Sequence, residues 1–159
     1  MLHTNYDASV WTRVYTDGSA DEAIKNGGSG IFIRYPDGHT SSRSLPAGAH
    51  SSNYRAELTA LKEAARMIKA DQHPPNHVVF LTDCKSAIQS LLSPNEQLER
   101  ETQHILCDLS KSAHIAVQWI PAHCDVAGNE RADKLAKSGS KMEQTNHPVS
   151  YREAKTLVK

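Results

Sequence analysis

The sequence predicts an α/β domain: a five-stranded mixed sheet with antiparallel strands one to three, parallel strands four and five, and helices on both faces. Three observations lead there. Two strand-like runs flank the Asp37-Gly38 dipeptide, the strongest short-range hairpin signal. Two apolar runs, HVVFLTD (residues 77–83) and IAVQWIP (residues 115–121), read as covered strands of a parallel pair. Around them lie segments whose apolar residues recur at spacings of three and four, the period of helices packed on a sheet.

Each element has its own signal. VWTRVYTD (residues 10–17) alternates β-branched or aromatic residues with others and runs into Gly18-Ser19, read as a turn that ends strand one. GGSGIFIRYP (residues 27–36) and HTSSRSLPAG (residues 39–48) form the hairpin, completing an antiparallel meander. Tyr54, Leu58, Leu61, Ala65 and Ile68 then mark a long helix, with Ser51 or Ser52 as its cap and Pro74-Pro75 closing the segment. After strand four comes a short helix, CKSAIQSLL, broken by Ser93-Pro94-Asn95, and then LERETQHILCDLSKS with helical spacing. Strand five is followed by a loop containing Gly128, and Asn129 is read as the cap of a last helix, ERADKLAKSG.

A length of 159 residues with 38% apolar and 23% charged residues suits one globular domain and excludes disorder and collagen-like repeats. No run approaches the roughly 20 apolar residues of a membrane span, and MLHTNYDASVWTRV lacks the blocks of a signal peptide. Cys84, Cys107 and Cys124 are odd in number and unpaired in spacing, which argues for a reducing, intracellular setting, cytoplasmic or nuclear. Eighteen basic and eighteen acidic residues cancel, so any polyanion must be held locally. Weak, salt-sensitive nucleic-acid binding is expected of the isolated chain.

Four acids stand where sheet proteins concentrate chemistry. Asp17 ends strand one, Asp83 follows the buried strand four, Glu57 lies one turn into the first helix, and Asp133 falls in the first turn of the last helix if Asn129 caps it. Should strands one and four be neighbours, Asp17 and Asp83 converge and repel unless a divalent cation stands between them. Oxygen ligands without a His/Cys set suit Mg²⁺ or Mn²⁺. Taken singly, an Asp before Gly is usually a turn former, a helix Glu usually solvated, and an Asp in a first helical turn usually a dipole partner.

The wording around these acids resembles the ribonuclease H family: YTDGSA (residues 15–20), SNYRAEL (residues 52–58), LTDCKSAI (residues 81–88) and WIPAHCDVAGNERADKLAK (residues 119–137) occur in the family's order and spacing. No extra basic helix separates Leu92 from Leu98, which is similar to the reverse-transcriptase-linked branch and most like the RNase H domain of non-LTR retrotransposons. The resemblance implies the three-layer ribonuclease H-like fold over residues 10–139, after a leader at 1–9 and before a linker and the start of a further helix at 140–159. It implies a metal-dependent endoribonuclease that cuts the RNA strand of RNA/DNA hybrids with two Mg²⁺, or Mn²⁺ as substitute, leaving 5′-phosphate and 3′-hydroxyl ends. It also implies a domain cut from a polyprotein with a covalently linked reverse transcriptase; for the isolated domain a monomer is the default expectation.

By the same resemblance Asp17, Glu57, Asp83 and Asp133 are catalytic metal ligands, and His123 is the family's mobile loop histidine, an accessory proton carrier. Substrate contacts carried over are Gly18, Ser19, Ser52, Asn53, Arg55 and Lys85; capping competes for Ser52, and solvation for Arg55, Lys85 and His50. Trp11 and Trp119 are expected in the core because they lie within strands. Asp125 stands where relatives often have Gly, adding negative charge beside His123. Two other readings are a noncatalytic hybrid-binding module of the same fold, which the intact acids disfavour, and a polynucleotidyl transferase acting on duplex DNA.

Overall fold

The computed structural model describes residues 6–20, 25–122, 126–144, 146 and 154–155. Along the chain come β1 (Thr12–Ala20), β2 (Gly27–Arg34), β3 (Thr40–Gly48), α1 (Asn53–Ala70), β4 (His77–Thr82), α2 (Lys85–Leu92), α3 (Gln97–Ser110), β5 (His114–Trp119) and α4 (Ala127–Ser140). They form one five-stranded sheet in the order β3-β2-β1-β4-β5. β1, β2 and β3 pair antiparallel, and β4 runs parallel to both β1 and β5. At the β2–β3 hairpin, Gly38 adopts φ +92°, open to glycine at little cost, while Asp37 accepts the His39 N–H at 2.9 Å.

The pleat sorts the core into two layers. Val14, Ile31, Ile33, Val78 and Phe80 face Leu58, Leu61, Ala64 and Ile68 of α1, joined by Leu106 and Leu109 of α3. Their strand neighbours Tyr15, Phe32, Val79 and Leu81 point the other way, onto Ala132 of α4. Helices thus cover both faces, and α1 and α4 lie on opposite ones.

Several local expectations give way to longer-range packing. β1 does not stop at Gly18-Ser19 but continues to Ala20, because Gly18, Ser19 and Ala20 pair with Ser29, Gly28 and Gly27. β5 is an edge strand and only half-buried, so Trp119 is not a core residue; Trp11 is half-buried just before β1. Asn129 does not cap α4: the helix opens at Ala127 after Val126, and the Glu130 N–H donates to the Val126 carbonyl at 3.0 Å. Asp133 therefore sits in the second turn, beyond the strongest reach of the helix dipole. Of the two serines offered as the α1 cap, Ser52 serves, its hydroxyl accepting the Arg55 N–H at 3.1 Å. The chain after α4 starts out docked, since Gln144 accepts the Gly48 N–H at 2.9 Å. Most of the further helix expected there falls outside the described residues.

Candidate active site

Parallel pairing of β1 with β4 brings Asp17 and Asp83 to the same edge of the sheet. Glu57 reaches them because α1 lies directly on β1. A Cβ at Gly18 would stand 2.3 Å from the Glu57 backbone nitrogen, so only glycine allows this approach. On the other face, a Cβ at Gly28 or Gly30 would lie 1.9 Å from the Ala136 carbonyl oxygen or 2.1 Å from that of Ala132. The bare backbone of β2 lets α4 settle close, with Asn129 and Asp133 turned toward the acids.

One carboxylate oxygen from each of Asp17, Glu57 and Asp83 lies within 4.8 Å of the other two. Asp17 and Glu57 are buried and Asp83 is half-buried. Asp133 lines the same cleft but is paired with Lys137 at 2.9 Å, one turn on along α4. Gly18, Ser19, Asn53, Val126, Asn129 and Glu130 complete the wall, around a volume of about 290 Å³. Val126 and Glu130 join the cleft without having been singled out in the sequence; the one-turn repeat Val126, Glu130, Asp133 was the available signal.

Burial pushes the Asp17 carboxyl up to about 6 from its ordinary 3.8; the Asp83 charge adds to this, and hydrogen bonds from Glu57 and the Gly18 N–H oppose it. Burial, then Asp17, then the Asp83 charge hold Glu57 well above the usual carboxylate range. The Thr82 hydroxyl donates to it from 3.4 Å. Without a cation, then, the two buried acids give up their protons less readily than ordinary carboxyls. An arrangement of hard oxygen donors whose charges relieve one another only by protonation fits a divalent cation such as Mg²⁺ or Mn²⁺. The carboxylates can hold a metal ion between them.

Other contacts steady the site. The Trp119 indole N–H donates to the Asp83 carbonyl at 3.2 Å, and the Lys85 ammonium rests 4.2 Å above the same ring. The Thr82 hydroxyl accepts the Cys84 N–H at 3.1 Å, fixing the turn from β4 into α2. Asn53 and Lys85 are exposed, Ser52 and Arg55 half-buried, and His50 exposed outside the cleft wall. His123 and Asp125 lie outside the described residues. Asn129, read from sequence as a cap, is instead buried in the cleft with its side-chain oxygen unpartnered, a condition that costs about 1–3 kcal/mol.

Comparisons with known proteins agree with this geometry. The profile of the RNase H family matches residues 10–141. A ribonuclease H of Pelobacter propionicus is 30% identical over 138 residues, 78% of this chain and 81% of that protein. Among solved structures, RNase H1 from the halophilic archaeon Halobacterium salinarum superposes with a TM-score of 0.65 at 19% identity, covering 81% of this chain and 96% of that one. A foamy viral protease-reverse transcriptase in complex with an RNA/DNA hybrid gives a TM-score of 0.66 at 23% identity, over 84% of this chain and 20% of that one. With the sheet order, the acid cluster and the family profile in agreement, the chain belongs to the RNase H family and is an enzyme of the ribonuclease H class.

Proposed function

We propose that this protein hydrolyses the RNA strand of RNA/DNA hybrids by a two-metal-ion mechanism, leaving 5′-phosphate and 3′-hydroxyl ends. The observation that carries the reading is the gathering of Asp17, Glu57 and Asp83, from three separate elements, with ligand oxygens within 4.8 Å. Two bound Mg²⁺ ions, or Mn²⁺ in their place, would activate the attacking water and neutralise the charge on the leaving 3′ oxygen. Asp17, Glu57 and Asp83 would hold the ions together with Asp133, once Asp133 exchanges its Lys137 partner. Glu57 also accepts the 2′-hydroxyl of the cleaved ribonucleotide, which separates RNA from DNA. His123 carries a proton on an imidazole nitrogen as an accessory step.

Gly18 and Ser19 offer backbone contacts at the cleft, and exposed Asn53 reads a base edge from the minor groove. Ser52, beyond capping α1, helps grip a DNA-strand phosphate, with Arg55 and Lys85 adding positive charge. The catalytic unit spans residues 10–139 between a short leader and a C-terminal linker. It acts inside the cell as the RNase H domain of a retroelement reverse transcriptase polyprotein, monomeric when isolated. The foamy virus likeness and the zero net charge support this: a domain with no overall attraction for nucleic acid gains from a tethered polymerase that holds the hybrid.

The test is single-turnover cleavage of an end-labelled RNA/DNA hybrid with Mg²⁺ or Mn²⁺, beside single-stranded RNA, duplex RNA and duplex DNA. Hybrid-only cleavage that disappears in Asp83→Asn is expected. A folded protein that binds hybrid and cuts nothing with either metal would make it a noncatalytic module, and cleavage of duplex DNA would make it a transferase relative.

A further inference from the structure

Asn129 is 6% exposed, and its Oδ1 accepts no hydrogen bond from the described residues. The side chain lines the acid cleft, one helical turn before Asp133 on the same face of α4. The described cleft wall supplies no donor to this oxygen. Lys137 is engaged by Asp133 at 2.9 Å, and the Gly18 N–H by Asp17 at 2.9 Å. Neither the Ser19 hydroxyl nor the Asn53 amide reaches it, and no carboxyl of Asp17, Glu57, Asp83, Glu130 or Asp133 is hydrogen-bonded to it. A buried acceptor in such a place is completed by a donor that arrives with a bound species.

We propose that Asn129 is a positioning residue whose Oδ1 accepts a hydrogen bond from a water molecule on the divalent cation held by the neighbouring acids. The inference rests on reading the cleft as a cation site. Mg²⁺ and Mn²⁺ retain several waters in carboxylate sites, and a water on a dication is a strengthened donor. A neutral amide oxygen meets that donor without adding another negative charge to an already crowded cluster. Partners of this outer kind orient what the metal holds, and their loss typically weakens metal binding by about 10–100-fold.

The experiment compares the wild-type protein with Asn129→Ala and Asn129→Asp. It measures the melting temperature without metal, the Mn²⁺ affinity by calorimetry without nucleic acid, and kcat and KM for an RNA/DNA hybrid. Asn129→Ala is expected to melt no lower than wild type, because it deletes a buried unsatisfied oxygen. Its Mn²⁺ affinity falls about 10–100-fold, and its cleavage is restored by raising the metal concentration. Asn129→Asp keeps an acceptor in place and binds Mn²⁺ at least as tightly as wild type.

An Asn129→Ala protein that melts lower, or does not fold, while Asn129→Asp leaves Mn²⁺ affinity unrestored would assign the amide to packing and overturn the proposal. Unchanged Mn²⁺ affinity with a raised KM would assign it to the nucleic acid, with the same consequence. Wild-type protein that binds Mn²⁺ and cuts hybrid no better than Asn129→Ala overturns this inference alone. Wild-type protein that does neither overturns the functional reading as well.

Discussion

Glu57 and Glu99 are both buried, at 5% and 2% exposure, yet they sit in opposite circumstances. Glu99 is saturated: Oε1 accepts the Asn95 and Glu96 N–H groups at 2.9 and 3.2 Å, and Oε2 accepts the Tyr54 hydroxyl. It closes a capping box at the start of α3 and ties α3 to α1. Glu57 faces two other carboxylates and a Thr82 hydroxyl 3.4 Å away, and burial with those neighbours raises its pKa. Burial alone therefore does not mark a functional acid. What separates the two is whether the fold itself completes the carboxylate or leaves it to be completed by something bound.

The largest expected effect breaks the unfinished side. Glu57→Gln or Asp83→Asn should lower single-turnover hybrid cleavage on the order of 10³-fold, the scale of losing one transition-state charge stabiliser. Either change should raise the melting temperature of the metal-free protein, because one member of a mutually repelling acid cluster is replaced by a neutral amide. A lowered melting temperature in both would mean that the acids stabilise the fold as Glu99 does.

The finished side should respond in the opposite sense. Glu99→Ala strands two backbone donors and the Tyr54 hydroxyl, costing about 2–4 kcal/mol in urea unfolding. The cleavage rate constant measured well below the melting temperature should stay within about two-fold. Loss of cleavage in a folded Glu99→Ala protein would place Glu99 in the site's machinery.

A smaller effect is the pH dependence of metal-free stability. Asp17 releases its proton near 3.8 when unfolded but near 6 in the fold, so between those values the native state binds more protons and stability falls as pH rises. The raised pKa of Glu57 extends the fall upward. Urea midpoints from pH 4 to pH 8 should show this slope without metal and a shallower one in saturating Mg²⁺. A midpoint that rises with pH across that window would contradict the pKa directions.

The smallest effect concerns the fourth acid. Lys137→Met frees Asp133 from an exposed ion pair and should tighten Mn²⁺ binding about two-fold, with the melting temperature nearly unchanged, since such pairs contribute little.

Much of this was legible in the residues. The Asp37-Gly38 turn, the period-two alternation of Val14, Tyr15 and their neighbours, and the apolar run of β4 are local signals, and the elements formed where those signals lie. Four acids in recognisable surroundings indicated the cleft because their spacing follows chain order and elements of regular length. What escaped depends on contacts distant in sequence. β1 overran its expected turn because glycines of β2 lay opposite to pair with it. Asn129 looked like a cap because Asn before a charged helical run usually is one, and only the docking of α4 on Gly28 and Gly30 turns it into the cleft. Glu99 looked like any helix acid, since its partner Tyr54 is 45 residues away.

The fold leaves the acids of β1, α1 and the β4–α2 turn open to a divalent cation. Calorimetric titration of Mn²⁺ into metal-free wild-type, Glu57→Gln and Glu99→Gln proteins at pH 7.5 tests it most directly. Saturable binding by wild type and Glu99→Gln, weakened at least about ten-fold in Glu57→Gln, is the predicted result. Binding of equal strength in all three, or none in the wild type, would contradict it.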